Sequence, residues 1–157
     1  MVFSGRLGIG PWVGGPAFVY LLLAGYPCWH WYEYVRVPAP WRWAAVPGAV
    51  LLVVGLWLYC WSLRALMKAW KSGALAKTGP YALVRHPAYA AWVLLILPGG
   101  VLLSGVWPLF LAPVLALHGF CRHIGHEEAR DRARFGEEYA RYCRDVPGRL
   151  VPRRGGG

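Results

Sequence analysis

The sequence predicts an all-α polytopic membrane protein: a bundle of about four transmembrane helices, the last two forming a hairpin, followed by a cytosolic carboxyl-terminal helix. Of its 157 residues, 57% are hydrophobic and 15% are charged, whereas soluble domains carry about a quarter charged residues. Ten tryptophans and nine tyrosines supply the aromatic side chains that membrane interfaces favour. No polar linker divides the chain, so residues 1–157 are predicted to form a single domain.

The first two predicted spans are uncharged stretches, each long enough for the roughly 20 residues that a membrane helix needs. No formal charge occurs in residues 7–32, which predicts a span at about 9–31. None occurs in residues 43–63 either, which predicts a second span at about 43–66.

The third uncharged stretch, residues 86–121, is too long for one membrane helix. At 1.5 Å per residue it would extend about 50 Å, against a hydrocarbon core of about 30 Å. A tight hairpin that turns near Ser104-Gly105 resolves the mismatch. The stretch is therefore predicted to form two spans, at about 88–104 and 106–122.

Charges in the loops predict the orientation. The loop between the first two spans carries Glu33, Arg36 and Arg42, whereas the next loop holds five basic residues from Arg64 to Arg85. The positive-inside bias therefore places the second loop and both termini in the cytosol, beneath the cell inner membrane.

This orientation also predicts a functional site where the spans meet water. It puts Arg85 and His86, before span three, on the same side as Glu127 and Glu128, after span four. A hairpin brings those two helix ends together. Ionisable groups at such a boundary are costly unless they bind something, so their convergence indicates a binding site.

Residues 123–154 are predicted to form a cytosolic or interfacial helix and a tail. Phe135, Tyr139 and Tyr142 recur at helical spacing. The two prolines of the tail prevent continuation as a helix, so the chain is expected to fold back towards the site or the lipid headgroups.

The net charge of +10 does not indicate nucleic-acid binding. Nine of the seventeen basic residues follow Phe120, interleaved with six of the seven acids, and no base-stacking module accompanies them. No metal site is expected, because the four cysteines are far apart and contain no Cys-x-x-Cys. His118, His123 and His126 do not share one clean helical face.

A series of short motifs runs through the second half of the chain. It comprises Thr78-Gly79-Pro80-Tyr81, Arg85-His86-Pro87-x-Tyr89, Glu127-Glu128 and Phe135-Gly136-Glu137-Glu138-Tyr139-x-x-Tyr142. In order and spacing, this series resembles the isoprenylcysteine carboxyl methyltransferase family, which belongs with the membrane phospholipid methyltransferases. A lone Arg-His-Pro would be weak evidence, and the whole series carries the resemblance.

The resemblance implies that the chain binds S-adenosylmethionine at the cytosolic ends of the last spans, enclosed by the carboxyl-terminal segment. The positions that match the family's cofactor motif are Arg85, His86, Pro87, Tyr89, Glu127 and Glu128. A lipophilic small molecule or a lipidated substrate would enter from the bilayer through a gap between helices.

The side chains suit that cofactor chemically. The two glutamates can bind its ammonium or its ribose hydroxyls, and Arg85 or His86 can bind its carboxylate through charge-assisted hydrogen bonds. Tyr81 and Tyr89 can stack on the adenine.

Three hypotheses describe the activity. The first is O-methylation of a prenylcysteine-type carboxylate, held by Arg85, Arg134 or Arg144 as the catalytic arginine. Prenylcysteine enzymes often have a histidine in the neighbourhood of residues 71–74, where this chain has none. The second hypothesis is N-methylation of a lipid amine such as phosphatidylethanolamine, or methylation of another hydrophobic small molecule. The third is a non-catalytic membrane scaffold.

Two simpler interpretations of the motifs stay open from sequence alone. Arg85 and His86 can serve only as an anchor at the lipid headgroups. Glu127-Glu128 can form surface ion pairs with Arg130 and Arg132.

Overall fold

The computed structural model describes residues 10–37 and 42–153. Its helices are α1 (Gly10–His30), α2 (Tyr32–Val35), α3 (Arg42–Lys71), α4 (Pro87–Ala90), α5 (Leu97–Ser104), α6 (Leu111–Phe135) and α7 (Glu137–Asp145). Two 3-10 turns cover Gly79–Ala82 and Trp107–Phe110, and a π-helical segment, Ala91–Ile96, joins α4 to α5. No described residue belongs to a β-sheet beyond one isolated bridge between Arg36 and Val106. The all-α prediction is confirmed.

Helices α1 and α3 correspond to the first two predicted spans. The first described residue of α1 is Gly10, and the predicted start at residue 9 lies outside the described residues. Helix α3 continues to Lys71, beyond the predicted end at 66. Its last turns contain leucine, alanine, methionine and lysine, which all favour the helix and allow it to extend past the apolar stretch.

The predicted chain reversal near Ser104-Gly105 is confirmed, and the crossing of the membrane by both of its arms stays a prediction. Helix α4, the π-helical segment and α5 form one continuous helix, and the chain then reverses at Gly105. The φ of Gly105 is 64°, in the left-handed region that glycine adopts without strain. The amide of Val37 donates to the Gly105 carbonyl at 2.7 Å, and the Tyr20 hydroxyl donates to the Pro108 carbonyl at 2.6 Å. These bonds hold the end of the bundle that lies opposite Arg85-His86 and Glu127-Glu128.

Span four (106–122) and the helix predicted from residue 123 are not separate helices, and where span four leaves the membrane stays a prediction. Helix α6 begins only at Leu111, after the 3-10 turn, and then runs without interruption to Phe135. The residues of α6 change from apolar to charged along its length, but the helix does not break there. Arginine and glutamate are good helix formers, so the charged half continues the same helix. The break falls at Gly136, whose φ is 54°, and α7 follows it.

Glycines permit the closest contacts between helices. Where α3 crosses α5, a Cβ on Gly99 would lie 2.8 Å from the carbonyl oxygen of Gly48 and 2.8 Å from the amide nitrogen of Leu52. Where α1 crosses α6, a Cβ on Gly119 would lie 2.7 Å from the carbonyl oxygen of Trp12. Membrane helices approach one another through small residues in this way. Helix α1 therefore packs along α6, and α3 packs along the helix formed by α4 and α5.

Two of the described helices are long and apolar enough to cross a membrane. They are Trp43–Lys71, with a mean hydropathy of 1.9, and Pro87–Ser104, with a mean hydropathy of 1.7. In Trp43–Lys71, only 11% of the most apolar 18-residue stretch is buried inside the protein. Most of the apolar side chains of this helix therefore face outwards. Helix α1, with its glycines and prolines, and α6, charged in its second half, do not meet the same criterion. For those two helices, membrane insertion stays a prediction.

We predict that Gly99→Ala destabilises the protein by about 1–3 kcal/mol, because the added methyl group meets backbone atoms that cannot rotate away. Gly100→Ala is the matched control, since a Cβ at that position meets nothing within 4 Å. Thermal unfolding in detergent should show a loss for the first variant and none for the second. Equal melting temperatures would contradict the close α3–α5 contact.

Candidate functional site

The loop between α3 and α4 holds Arg85 and His86 in place. A 3-10 turn places Pro80 and Tyr81 in the protein interior, and the Tyr142 hydroxyl donates to the Tyr81 carbonyl at 2.7 Å. Pro87 then begins α4, where its missing amide hydrogen costs nothing. His86 is 7% exposed and lies against the Phe120 ring, with ring centres 5.9 Å apart.

Three positively charged or ionisable side chains surround the carboxylate of Glu128. Arg85 Nη1 lies 3.1 Å from Oε1, and His86 Nε2 lies 3.5 Å from the same oxygen, an ion-pair distance without hydrogen-bond geometry. Arg149 donates from Nε to Oε1 at 3.0 Å and from Nη2 to Oε2 at 2.6 Å. Burial opposes ionisation of this carboxylate, but its contacts with His86, Arg149 and Arg85 prevail and lower its pKa to about 2. We call these four residues the Glu128 cluster.

The carboxyl-terminal tail folds back onto the site, as the sequence predicted. The amide of Arg85 donates to the Gly148 carbonyl at 2.9 Å, and the amide of His86 donates to the Arg149 carbonyl at 3.0 Å. The Arg85 side chain also donates to the Pro147 carbonyl at 3.2 Å and contacts the Cys143 sulfur at 3.1 Å. Residue 154, the predicted end of the tail, lies outside the described residues.

A cavity of about 1000 Å³ adjoins the Glu128 cluster. One end is charged and is lined by Arg85, His86, Glu127, Arg130, Asp131 and Arg134. The other end is largely apolar and lies between the first turns of α1 and the last turns of α3; it is lined by Gly14, Gly15, Phe18, Leu63, Leu66, Trp70 and Trp92. The aromatic residues Tyr81, Tyr89, Tyr139 and Tyr142 also line the cavity.

Most of the predicted site residues come together at this cavity. Tyr89 donates from its hydroxyl to Glu127 Oε2 at 3.1 Å, which joins α4 to α6. Glu128 does not line the cavity, because its carboxylate is engaged in the Glu128 cluster. Pro87 is buried at the start of α4 and also lies outside the cavity lining.

The two further arginine candidates differ in position. Arg134 is exposed at the cavity mouth, and its guanidinium lies 5.0 Å from the centre of the Phe135 ring. Arg144 is exposed on α7 and does not line the cavity. Arg85 lines the cavity but is paired with Glu128.

Surface ion pairing does not account for Glu128. Its ion-pair partners in the described part of the chain are Arg85, His86 and Arg149, not Arg130 or Arg132. Among the histidines considered for a metal, His123 stacks on Trp12 at 5.5 Å, and its Nδ1 lies 2.9 Å from the Gly119 carbonyl oxygen. His123 therefore has a packing role in the α1–α6 contact.

Three residues at or beside the candidate site were not among the predicted site residues: Arg149, Asp131 and Tyr139. Asp131 lies four positions after Glu127, a spacing that places both on one helix face and could have indicated it. Its pKa is raised, first by burial and then by the charge of Glu127. Burial also raises the pKa of Tyr139, which stays protonated, and its hydroxyl is buried without a hydrogen-bond partner among the described residues. No local pattern marked Arg149, because only the folded tail brings it to Glu128.

Comparison with known proteins identifies one family. Residues 47–130, more than half of the chain, match the model of the isoprenylcysteine carboxyl methyltransferase (ICMT) family. The matched region includes Arg85, His86, Glu127 and Glu128, and it ends one residue before Asp131. Searches of curated proteins and of solved structures gave no significant match.

We predict that Glu128→Gln lowers the free energy of unfolding by about 3 kcal/mol, because it leaves Arg85 and His86 buried without their carboxylate. Glu138→Gln is the control: its ion pair with Lys77 has both side chains about half exposed, so the expected loss is under about 1 kcal/mol. Chemical unfolding in detergent measures both. Losses of the same size would show that the Glu128 cluster does not stabilise the fold.

Acidification should destabilise the protein through the same carboxylate. The folded-state pKa of Glu128, about 2, lies below its ordinary value of 4.5, so its stabilisation is complete above about pH 4.5 and is lost as the pH falls towards 2. Melting temperatures measured across that range should fall more steeply for the wild type than for Glu128→Gln. If the melting temperatures of both proteins fall in parallel with pH, Glu128 is not the cause of the acid destabilisation.

Proposed function

We propose that this chain, which belongs to the isoprenylcysteine carboxyl methyltransferase family, is an integral membrane enzyme that transfers a methyl group from S-adenosylmethionine to a lipophilic acceptor. One observation carries the proposal: a single cavity of about 1000 Å³ joins a charged end to an apolar end. A charged nucleoside donor and a lipophilic acceptor need two such environments side by side.

The charged end suits the donor. Glu127 and Asp131 supply acceptors for its ammonium or ribose hydroxyls, and His86 supplies a donor for its carboxylate. Tyr81 and Tyr89 provide aromatic faces for the adenine.

The apolar end suits the lipophilic acceptor. Helices α1 and α3 both line it, although α1 packs on α6 and α3 packs on α4 and α5. Two helices that pack against different partners leave an opening between them, and their outer faces are apolar: Leu22 of α1 and Trp57 of α3 are exposed. We propose that the acceptor enters from the bilayer between these helices.

The acceptor that the family favours is a prenylcysteine-type carboxylate. S-Adenosylmethionine supplies a methyl group on a sulfonium sulfur, and the acceptor oxygen forms the new bond to carbon as the carbon–sulfur bond breaks. Because a carboxylate is already ionised, the protein needs no general base; it must align the two reactants and exclude water. Arg134 is the arginine proposed to hold the acceptor carboxylate, since it lines the cavity and Arg85 is engaged by Glu128.

A lipid amine is the second candidate acceptor. The observation that favours it is the pair of carboxylates, Glu127 and Asp131, at the charged end of the cavity. An ammonium group must lose its proton before it can attack carbon, and a carboxylate with a raised pKa is a suitable base. Phosphatidylethanolamine represents this class.

The site is proposed to face the cytoplasm at the cell inner membrane. The exposed basic residues Lys68, Lys71 and Lys77 lie in the loop region that leads to the site, at the end of α3 and after it. The positive-inside bias assigns such a loop to the cytoplasmic side.

The assay supplies the purified protein with radioactive S-adenosylmethionine and one of the two acceptors. It measures transfer of the labelled methyl group to the acceptor. We expect labelling of a farnesylcysteine analogue and little labelling of phosphatidylethanolamine. Labelling of the amine alone would replace the first acceptor class by the second. Absence of transfer together with absence of S-adenosylhomocysteine binding in calorimetry would favour the non-catalytic scaffold.

We predict that Gly15→Phe raises the KM for the lipophilic acceptor about tenfold and leaves donor affinity unchanged. Gly15 lines the apolar end, and a side chain there meets open space, so the ring would fill the opening instead of disturbing the helix contacts. Gly25→Phe is the matched control on the same helix, also in open space but away from the cavity. An equal rise in KM for both variants would refute entry between α1 and α3.

A further inference from the structure

We propose that the outward face of α3 binds one anionic phospholipid, with its phosphate at Arg64 and an acyl chain along the neighbouring tryptophans. This lipid site does not depend on the proposed methyl transfer. It requires only that α3 lies in the bilayer, which the length and hydropathy of the helix favour. The site is separate from the cavity in which donor and acceptor are proposed to meet.

A groove of about 520 Å³ lies on the outer surface of α3. It is lined by Leu56, Trp57, Cys60, Trp61 and Arg64. The rings of the two tryptophans are both exposed, and their centres are 5.1 Å apart. The groove therefore has apolar and aromatic walls and one charged end, which is the polarity of a phospholipid.

The basic residues at the end of α3 share the face of the groove. Since successive helix residues are about 100° apart, a stripe about 80° wide holds the two tryptophans and three cations. Its members are Trp57, Trp61, Arg64, Lys68 and Lys71. Residues of α3 that line the large cavity, such as Tyr59 and Leu66, lie on the opposite face of the helix. The stripe changes along its length from aromatic to basic, as the membrane changes from hydrocarbon to headgroups.

The charge of this stripe is not compensated within the described part of the protein. Helix α3 contains no acidic residue. Among the described residues, no carboxylate lies within ion-pair distance of Arg64, Lys68 or Lys71, whereas Lys77 in the following loop pairs with Glu138 at 2.6 Å. The positive-inside bias accounts for the sign of these charges but not for a groove beside Arg64. An anion from outside the chain is the partner that the stripe complements.

A second hydrogen-bond donor lies beside Arg64. Trp61 precedes it by three residues, so the two side chains are neighbours on the helix surface. The indole nitrogen of Trp61 lies close to Gly79, 3.4 Å from the position that a Cβ would take there. In the described part of the chain, no group accepts the hydrogen of this nitrogen. A guanidinium and an indole N–H together suit the oxygens of one phosphate group.

Charge favours a lipid over a second copy of this chain as the occupant. A second copy in the same membrane orientation would bring its own Arg64, Lys68 and Lys71 to the same depth, where like charges repel. Phosphatidylglycerol instead brings a net negative charge and an acyl chain. Phosphatidylcholine has the same phosphate, but its own ammonium balances the charge. The groove is therefore expected to select lipids by the charge of the headgroup.

Native mass spectrometry of the full chain in detergent tests the proposal, with phosphatidylglycerol and phosphatidylcholine of identical acyl chains as probes. We expect the wild type to bind one phosphatidylglycerol about fivefold more tightly than phosphatidylcholine. Arg64→Gln should reduce this preference to less than about twofold. Trp61→Phe, which keeps a ring but removes the N–H, should weaken binding of phosphatidylglycerol more than that of phosphatidylcholine. Arg122→Gln is the matched control, because Arg122 is an exposed arginine of α6 outside the groove, and it should keep the preference.

Three results would overturn the lipid site. The first is equal affinity of the wild type for the two lipids. The second is an equal loss of preference in Arg64→Gln and Arg122→Gln, which would show attraction to a generally basic surface. The third is a lipid-free dimer that Trp57→Ala dissociates, which would assign this face to a second copy.

Thermal unfolding checks that Arg64→Gln folds, as expected for an exposed side chain without an ion-pair partner among the described residues. If it does not fold, Lys68→Gln on the same stripe provides the comparison. None of these measurements involves methyl transfer, so failure of the lipid site leaves the proposed function standing.

Discussion

The carboxylate of Glu128 joins three parts of the chain that are distant in sequence. Its oxygens contact Arg85 and His86 from the loop before α4, and Arg149 from the carboxyl-terminal tail, while Glu128 itself lies on α6. A largely buried carboxylate destabilises the fold unless its positively charged partners are also present. The rest of the site depends on this cluster, because it fixes where the loop, the helix and the tail meet.

The cluster also separates the two adjacent glutamates of α6. Successive residues of a helix point about 100° apart, so Glu127 and Glu128 cannot serve the same neighbour. One faces the tail and neutralises Arg85, and the other faces the cavity with Asp131. The two adjacent carboxylates therefore have different surroundings: Glu128 joins distant segments of the chain, and Glu127 lines the cavity.

The glycine contacts explain how a cavity this large fits into so short a chain. Gly48 and Gly99 bring α3 against the α4–α5 helix, and Gly119 brings α6 against α1. Each pair of helices is closely packed, and the space lies between the pairs, where α1 faces α3. Tight packing within pairs and open space between them provide an apolar route to the charged end.

The sequence by itself determined the helical class, the turn at Ser104-Gly105 and the grouping of Arg85, His86 and Glu128, because these follow from charge and hydrophobicity along the chain. It did not show that the predicted span four and the helix after it are one helix, since polarity changes within α6 without breaking its hydrogen bonds. Only the tertiary structure brought Arg149 to Glu128 and showed that Glu127 and Glu128 have different surroundings. Such contacts depend on which face of a helix meets which distant segment, and a linear pattern of residue types does not contain that information.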